Sequence, residues 1–122
     1  MSRDGRLASK RRFERRGRRA EWMAALALML KGYRIAALRY RTPLGEIDIV
    51  ARKGDLVALV EVKARRDLGA GVDAVIAAAQ RRIQAAGALY VSRQPDSARL
   101  SWRCDIVVVS PWRWPVHLKD AF

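Results

Sequence analysis

Four ionisable side chains interrupt two apolar runs in the stretch from Gly45 to Arg65, GEIDIVARKGDLVALVEVKAR: Glu46, Asp48, Glu61 and Lys63. Three carboxylates and an amine inside otherwise buried strands are costly unless paired or metal-bound. Hard oxygen donors of this kind suit a divalent cation that keeps several waters, as Mg²⁺ or Mn²⁺ does. Such an ion polarises a phosphodiester and lowers the pKa of a bound water. A lysine beside it can orient that water or offset charge developing on the phosphate. The expected ligands are Asp48 and Glu61, with Glu46 completing the shell and the backbone carbonyl between Glu61 and Lys63 as a further donor. The plain alternative is an ordinary Glu61–Lys63 ion pair beside a turn.

Whether these groups meet depends on the turn. Lys53-Gly54-Asp55 between two apolar runs is a hairpin signal. A two-residue turn at Lys53-Gly54 sets Glu46 opposite Glu61. One at Gly54-Asp55 sets Asp48 opposite Glu61 and Glu46 opposite Lys63. Side chains alternate faces along a strand, so both registers gather all four groups on one face, and a three-residue loop would separate them. Carboxylates set opposite one another repel, which calls for a positive partner.

The other elements follow from pattern. Residues 1–19 carry nine Lys or Arg against two acids, which reads as a solvated basic arm able to lie along phosphates. Ala20 to Leu30 is rich in helix formers, with Gly32 placed to cap it. The helix is apolar nearly all round, so burial on most sides is expected; Glu21 sits at its edge, either as a favourable first-turn charge or aimed at Asp48. Tyr33 to Tyr40 alternates as a strand, with Ile35 and Ala37 inward and Leu38 a further candidate. Leu56 to Val62 is continuously apolar, as a central strand should be. After a loop at 67–71, a helix from Asp73 to about Tyr90 carries Val75 or Ile76, Ala79, Ile83, Ala86 and Tyr90 on its core stripe. Gln80 and Gln84 stand beside that stripe, and Arg81 and Arg82 face away. Trp102 to Val109 is a strand, and Val116 to Leu118 a short edge strand after two prolines. Trp112 and Trp114 could stack on bases, but between prolines at an edge they are expected to cover the core. The strand–helix–strand step predicts a parallel neighbour.

The fold class expected is therefore α/β: a mixed sheet flanked by helices, in the order helix, three strands, helix, strand, with a short strand appended. With 122 residues, a single domain over 20–122 follows the arm at 1–19. The net charge of +13 and pI near 11.3 favour a polyanionic partner, nucleic acid before a membrane surface. The expected phosphate contacts are Arg11, Arg12, Arg15, Arg16, Arg18 and Arg19 of the arm, with Arg41, Arg65 and Arg81 on the folded part. Cys104 is the only cysteine and His117 the only histidine, so neither an intrachain disulfide nor a zinc cluster is available; His117 reads as structural or solvated. The apolar run at 22–30 is too short to span a bilayer and has no cleavage site after it, so the expected compartment is the cytoplasm.

GEIDIV followed by LVEVKAR resembles the YraN-like family, whose members carry G-E-I-D and then V-E-V-K-x-R. The likeness runs from about Arg18 to the closing Ala121-Phe122 and includes Glu21, Gly32-Tyr33, Arg41, Gln80, and the Arg103-x-Asp105 run. That family is similar to the restriction-endonuclease-like, PD-(D/E)xK nuclease superfamily, which includes Holliday-junction resolvases and shares this element order. The resemblance implies Asp48, Glu61 and Lys63 as the catalytic set, Glu21 as an accessory acid and Gln80 as a supporting polar group. It also implies Mg²⁺ or Mn²⁺ as cofactor, DNA as partner and, for a symmetric junction, a homodimer. Arg39 and Ala79 depart from the family's usual Asn and Lys.

Overall fold

The computed structural model describes residues 18–66 and 77–122. Helix α1 covers 18–30, so Arg18 and Arg19 belong to it and not to an arm. It ends in a Schellman motif: the Tyr33 amide donates to the Leu28 carbonyl at 3.1 Å and the Gly32 amide to Met29 at 3.0 Å. Gly32 has φ +94°, the left-handed turn that glycine adopts at no steric cost.

Three antiparallel strands follow: β1 (Arg34–Thr42), β2 (Gly45–Lys53) and β3 (Leu56–Ala64). Helix α2 (Ala77–Ser92) leads to a 3₁₀ turn (Ser97–Arg99), then β4 (Ser101–Val109) and β5 (Val116–Leu118). The sheet runs β1-β2-β3-β4-β5. β4 is parallel to β3 and antiparallel to β5. The expected α/β order and mixed sheet are as observed, with β5 at the edge where its two prolines put it. Asp67 to Gly71, Asp73, Val75 and Ile76 lie outside the described residues, as do Arg11, Arg12, Arg15 and Arg16.

Each face of the sheet carries one core. Ala24, Ala25 and Leu28 of α1 meet Ile49, Ala51, Ala58, Val60 and Val107. Ile83, Ala86, Tyr90 and Val91 of α2 meet Ile47, Val50, Val57, Leu59 and Cys104 on the other side. Arg81 and Arg82 are exposed as expected.

Two burial expectations fail. α1 is buried only along Ala20, Ala24, Ala25, Ala27 and Leu28, while Trp22, Met23, Leu26, Met29 and Leu30 are exposed. A face of alanines lets the helix axis approach the sheet closely, and the large residues are left outside. Trp112 and Trp114 do not cover the core either: Trp112 is fully exposed and Trp114 is 56% exposed. Leu38 is also outside, at 40%.

Candidate active site at the end of the β2–β3 hairpin

The hairpin takes the Gly54-Asp55 register. Lys53 pairs with Leu56 and the ladder continues to Ile49 opposite Val60. Continued unchanged, that register would set Asp48 across from Glu61 and Glu46 across from Lys63, but the paired ladder stops at Ile49. The ladder ends there because the chain is kinked. Ile47 packs in the core under α2 and Ile49 in the core under α1, although period-2 alternation would give them one face. In the adjoining strand Leu38 pairs with Ile49 and Tyr40 with Ile47, and Arg39 between them sits at φ +51°. Both strands switch faces at the same level, with Asp48 at the switch.

The Asp48 carboxylate consequently reaches sideways to the next strand. Its Oδ2 accepts the backbone N–H of Val62 at 2.9 Å, and no described residue donates to Oδ1. Glu61 and Lys63 are both half-buried, and Lys63 Nζ lies 3.1 Å from Glu61 Oε1. Glu21 on α1 is held by Arg39, whose Nε donates to Oε2 at 2.8 Å. Glu46 departs from expectation: the kink takes it off the face of Val50, and it faces Arg41 at 3.6 Å, 44% exposed. Gln80 is half-buried, one helical turn before Ile83, which shares a core with Ile47. Gly45 fixes this approach of α2 to β2. A Cβ there would stand 3.1 Å from the Arg82 carbonyl oxygen.

Asp48 is the electrostatic centre. Burial pushes its carboxyl up to about 7, and the neighbouring charge of Glu61 adds to this, with smaller contributions from Glu21 and Glu46. The Val62 N–H works in the opposite direction. All the acids singled out in the sequence thus act on one carboxyl. Among the described residues no three His, Cys, Asp or Glu side chains gather to enclose an ion. The donor set is instead the two carboxylates of Asp48 and Glu61, with Asp48 Oδ1 bonded by no described residue, which matches an ion held mainly by water and one or two carboxylates.

A second polar cluster was missed by sequence reasoning. Asp105 is completely buried. It accepts from Arg103 Nε at 2.8 Å and from the Asp120 amide at 2.9 Å, and it bonds His117 Nε2 at 2.7 Å. Arg103 Nη2 also donates to the Tyr33 hydroxyl at 2.6 Å. Lys31 Nζ lies 2.8 Å from His117 Nδ1, which assigns the Nε2–H tautomer, with that N–H donated to Asp105. Burial alone would raise the Asp105 carboxyl; the bonds from His117, Arg103 and Asp120 outweigh it and hold it below the ordinary value. The network ties the end of α1 to β4 and β5, so His117 is structural. The signal available was an acid in mid-strand among Ile106, Val107 and Val108.

Of the expected phosphate contacts, Arg18, Arg19, Arg41 and Arg81 are exposed. Arg65 is half-buried and its Nη1 donates to the Ala64 carbonyl.

The class defined by this arrangement is an α/β protein with a mixed five-stranded sheet between two helices, consistent with a nuclease-like core. A family model described as "Uncharacterised protein family UPF0102" matches residues 20–109. A UPF0102 protein of Chelativorans sp. is 59% identical over 122 residues, covering 100% of this chain and 98% of its own. One from Rhizobium meliloti is 68% identical over 108 residues, 88% of each chain. One from Rhizobium etli is 62% identical over 122 residues, the whole of both chains. The chain belongs to the UPF0102 family, the YraN-like family that its motifs resemble. Among the described residues no helix is long and apolar enough to cross a membrane.

Proposed function

We propose that this protein is a divalent-metal-dependent endonuclease acting on DNA, branched or otherwise structured substrates included. The observation that carries this reading is the half-buried Asp48 carboxyl set against Glu61, with one oxygen fixed by Val62 and the other bonded by no described residue. Two repelling carboxylates are stabilised by a shared cation. Asp48 and Glu61 would hold Mg²⁺ or Mn²⁺. Bound there, the ion would polarise the phosphodiester and acidify a water. The Val62 N–H keeps Asp48 oriented. Lys63 Nζ, now on Glu61, would turn to the attacking water or to a phosphate oxygen as charge develops there. Glu21, neutralised by Arg39, and Gln80 on the first described turn of α2 support the site from outside. Symmetric cleavage of a junction would take two copies of the chain.

Purified protein should cut branched or single-stranded DNA with Mg²⁺, and Asp48→Ala should abolish it. Cleavage that persists in that variant rules out this site. A second reading is a nucleic-acid-binding protein on the same fold without turnover. It is favoured by the 3.1 Å Lys63–Glu61 pair, which occupies the amine that catalysis would need. In that case binding falls steeply with salt as phosphate contacts release counterions, and the site takes up no Mg²⁺ or Mn²⁺.

A further inference from the structure

A pocket of about 570 Å³ opens where β3 and β4 end and α1 begins. Its polar lining is Arg19, Arg65, Arg66 and Ser110, and its apolar wall includes Met23 and Pro111. Among the described residues no acid lines it, and none of its three arginines pairs with a carboxylate of a described residue. The floor is fixed, because the Arg65 amide donates to the Val109 carbonyl at 3.0 Å and so ties the two strand ends together. Carboxyl ends of parallel strands are where open α/β sheets place their ligands.

The residue after Pro111 is Trp112, fully exposed and held at φ +64°. A bulky side chain in the left-handed region is strained, and such strain persists chiefly at functional positions. An exposed tryptophan gains little from water and much from a flat aromatic partner. Guanidinium groups paired with no described acid, an apolar wall and an exposed indole beside it together suit a phosphate carrying a base.

We propose that this pocket seats an unpaired nucleotide, with its phosphate on the arginines and its base against Met23, Pro111 and Trp112. This deepens the nuclease reading and rests on it, by naming the substrate class as a single-stranded segment. Ala64 of the pocket directly follows Lys63, yet successive side chains leave opposite faces of a strand. The pocket therefore lies on the α1 side of an edge whose other side carries Lys63. One chain must bend over that edge to touch both. A duplex, stiff over about 150 bp, resists such a bend, whereas a single strand follows it freely.

The test is fluorescence anisotropy of the full-length chain with labelled oligo(dT) and with a blunt duplex, both in EDTA. Trp112→Ala should weaken oligo(dT) binding about ten-fold, the loss of one stacked base, and leave duplex binding unchanged. Arg65→Ala with Arg66→Ala should weaken oligo(dT) binding and flatten its salt dependence. Thymidine monophosphate should compete at concentrations where inorganic phosphate does not. Equal losses on both DNAs, no loss in either variant, or equal competition by phosphate would overturn the proposal. Melting curves confirm that each variant is folded. If wild type neither cuts nor binds Mn²⁺ yet the Trp112 effect holds, the metal reading alone has failed. If wild type cuts and the Trp112 variant binds normally, the pocket alone has failed.

Discussion

Asp48→Asn removes one of two repelling charges while keeping the shape and an oxygen for the Val62 N–H, and its effect on stability should depend on pH. The carboxyl is raised from an ordinary 3.8 to about 7, chiefly by burial and then by Glu61. A raised carboxyl holds a proton in the folded chain that the unfolded chain has released. Stability is therefore lost as pH rises from about 4 to about 7 and stays lost above. At about 1.4 kcal/mol per unit, the cost above pH 7 is at most about 4 kcal/mol. Half of that corresponds to a rise of roughly 5–10 °C in Tm for a domain of this size. Thermal melts in EDTA at low salt, from pH 4 to pH 8, measure it. The variant should match wild type at pH 4 and overtake it progressively toward pH 8. Parallel curves, or a variant less stable at pH 8, would refute the claim that Asp48 is charged at a cost.

Two further predictions concern the frame around the site. Asp105→Ala leaves Arg103 and His117 facing an empty buried space and should cost roughly 3–5 kcal/mol, read by urea unfolding; a loss under about 1 kcal/mol would show that the network contributes little. Because its partners hold the Asp105 carboxyl low, the wild type should also shed that stability as pH falls below about 4. Gly87→Ala would drive a Cβ into the Leu59 Cδ1 position between α2 and β3, an overpacking worth about 1–3 kcal/mol; unchanged stability would mean that Leu59 can move aside.

Much of the fold was readable because it is written locally. Lys53-Gly54-Asp55 marks the hairpin while leaving two registers open, of which the structure takes Gly54-Asp55; Gly32 ends α1, and the spacing of Ile83, Ala86 and Tyr90 marks the buried stripe of α2. Acids in apolar strands pointed to Asp48 and Glu61 for the same reason. What was not readable depends on contacts between distant segments. The face switch at Asp48 requires Arg39 in a left-handed conformation on the neighbouring strand, and it moves Glu46 out to Arg41. Hydropathy marked α1 as core, yet it cannot say which side meets the sheet; the small alanines do, and Trp22 and Leu30 remain outside. Asp105 bonds Arg103 and His117 and through them reaches Tyr33 and Lys31, three regions of the chain, so the Arg103-x-Asp105 run in β4 was its only local trace.

The central claim is that Asp48 and Glu61 share a divalent ion. Titrating Mn²⁺ into the full-length chain without nucleic acid, by calorimetry at pH 7.5 or so, tests it most directly. Wild type should show a saturable site that Asp48→Asn and Glu61→Gln each lose and Trp112→Ala retains. No uptake by wild type, or uptake by either carboxylate variant equal to that of wild type, would contradict it.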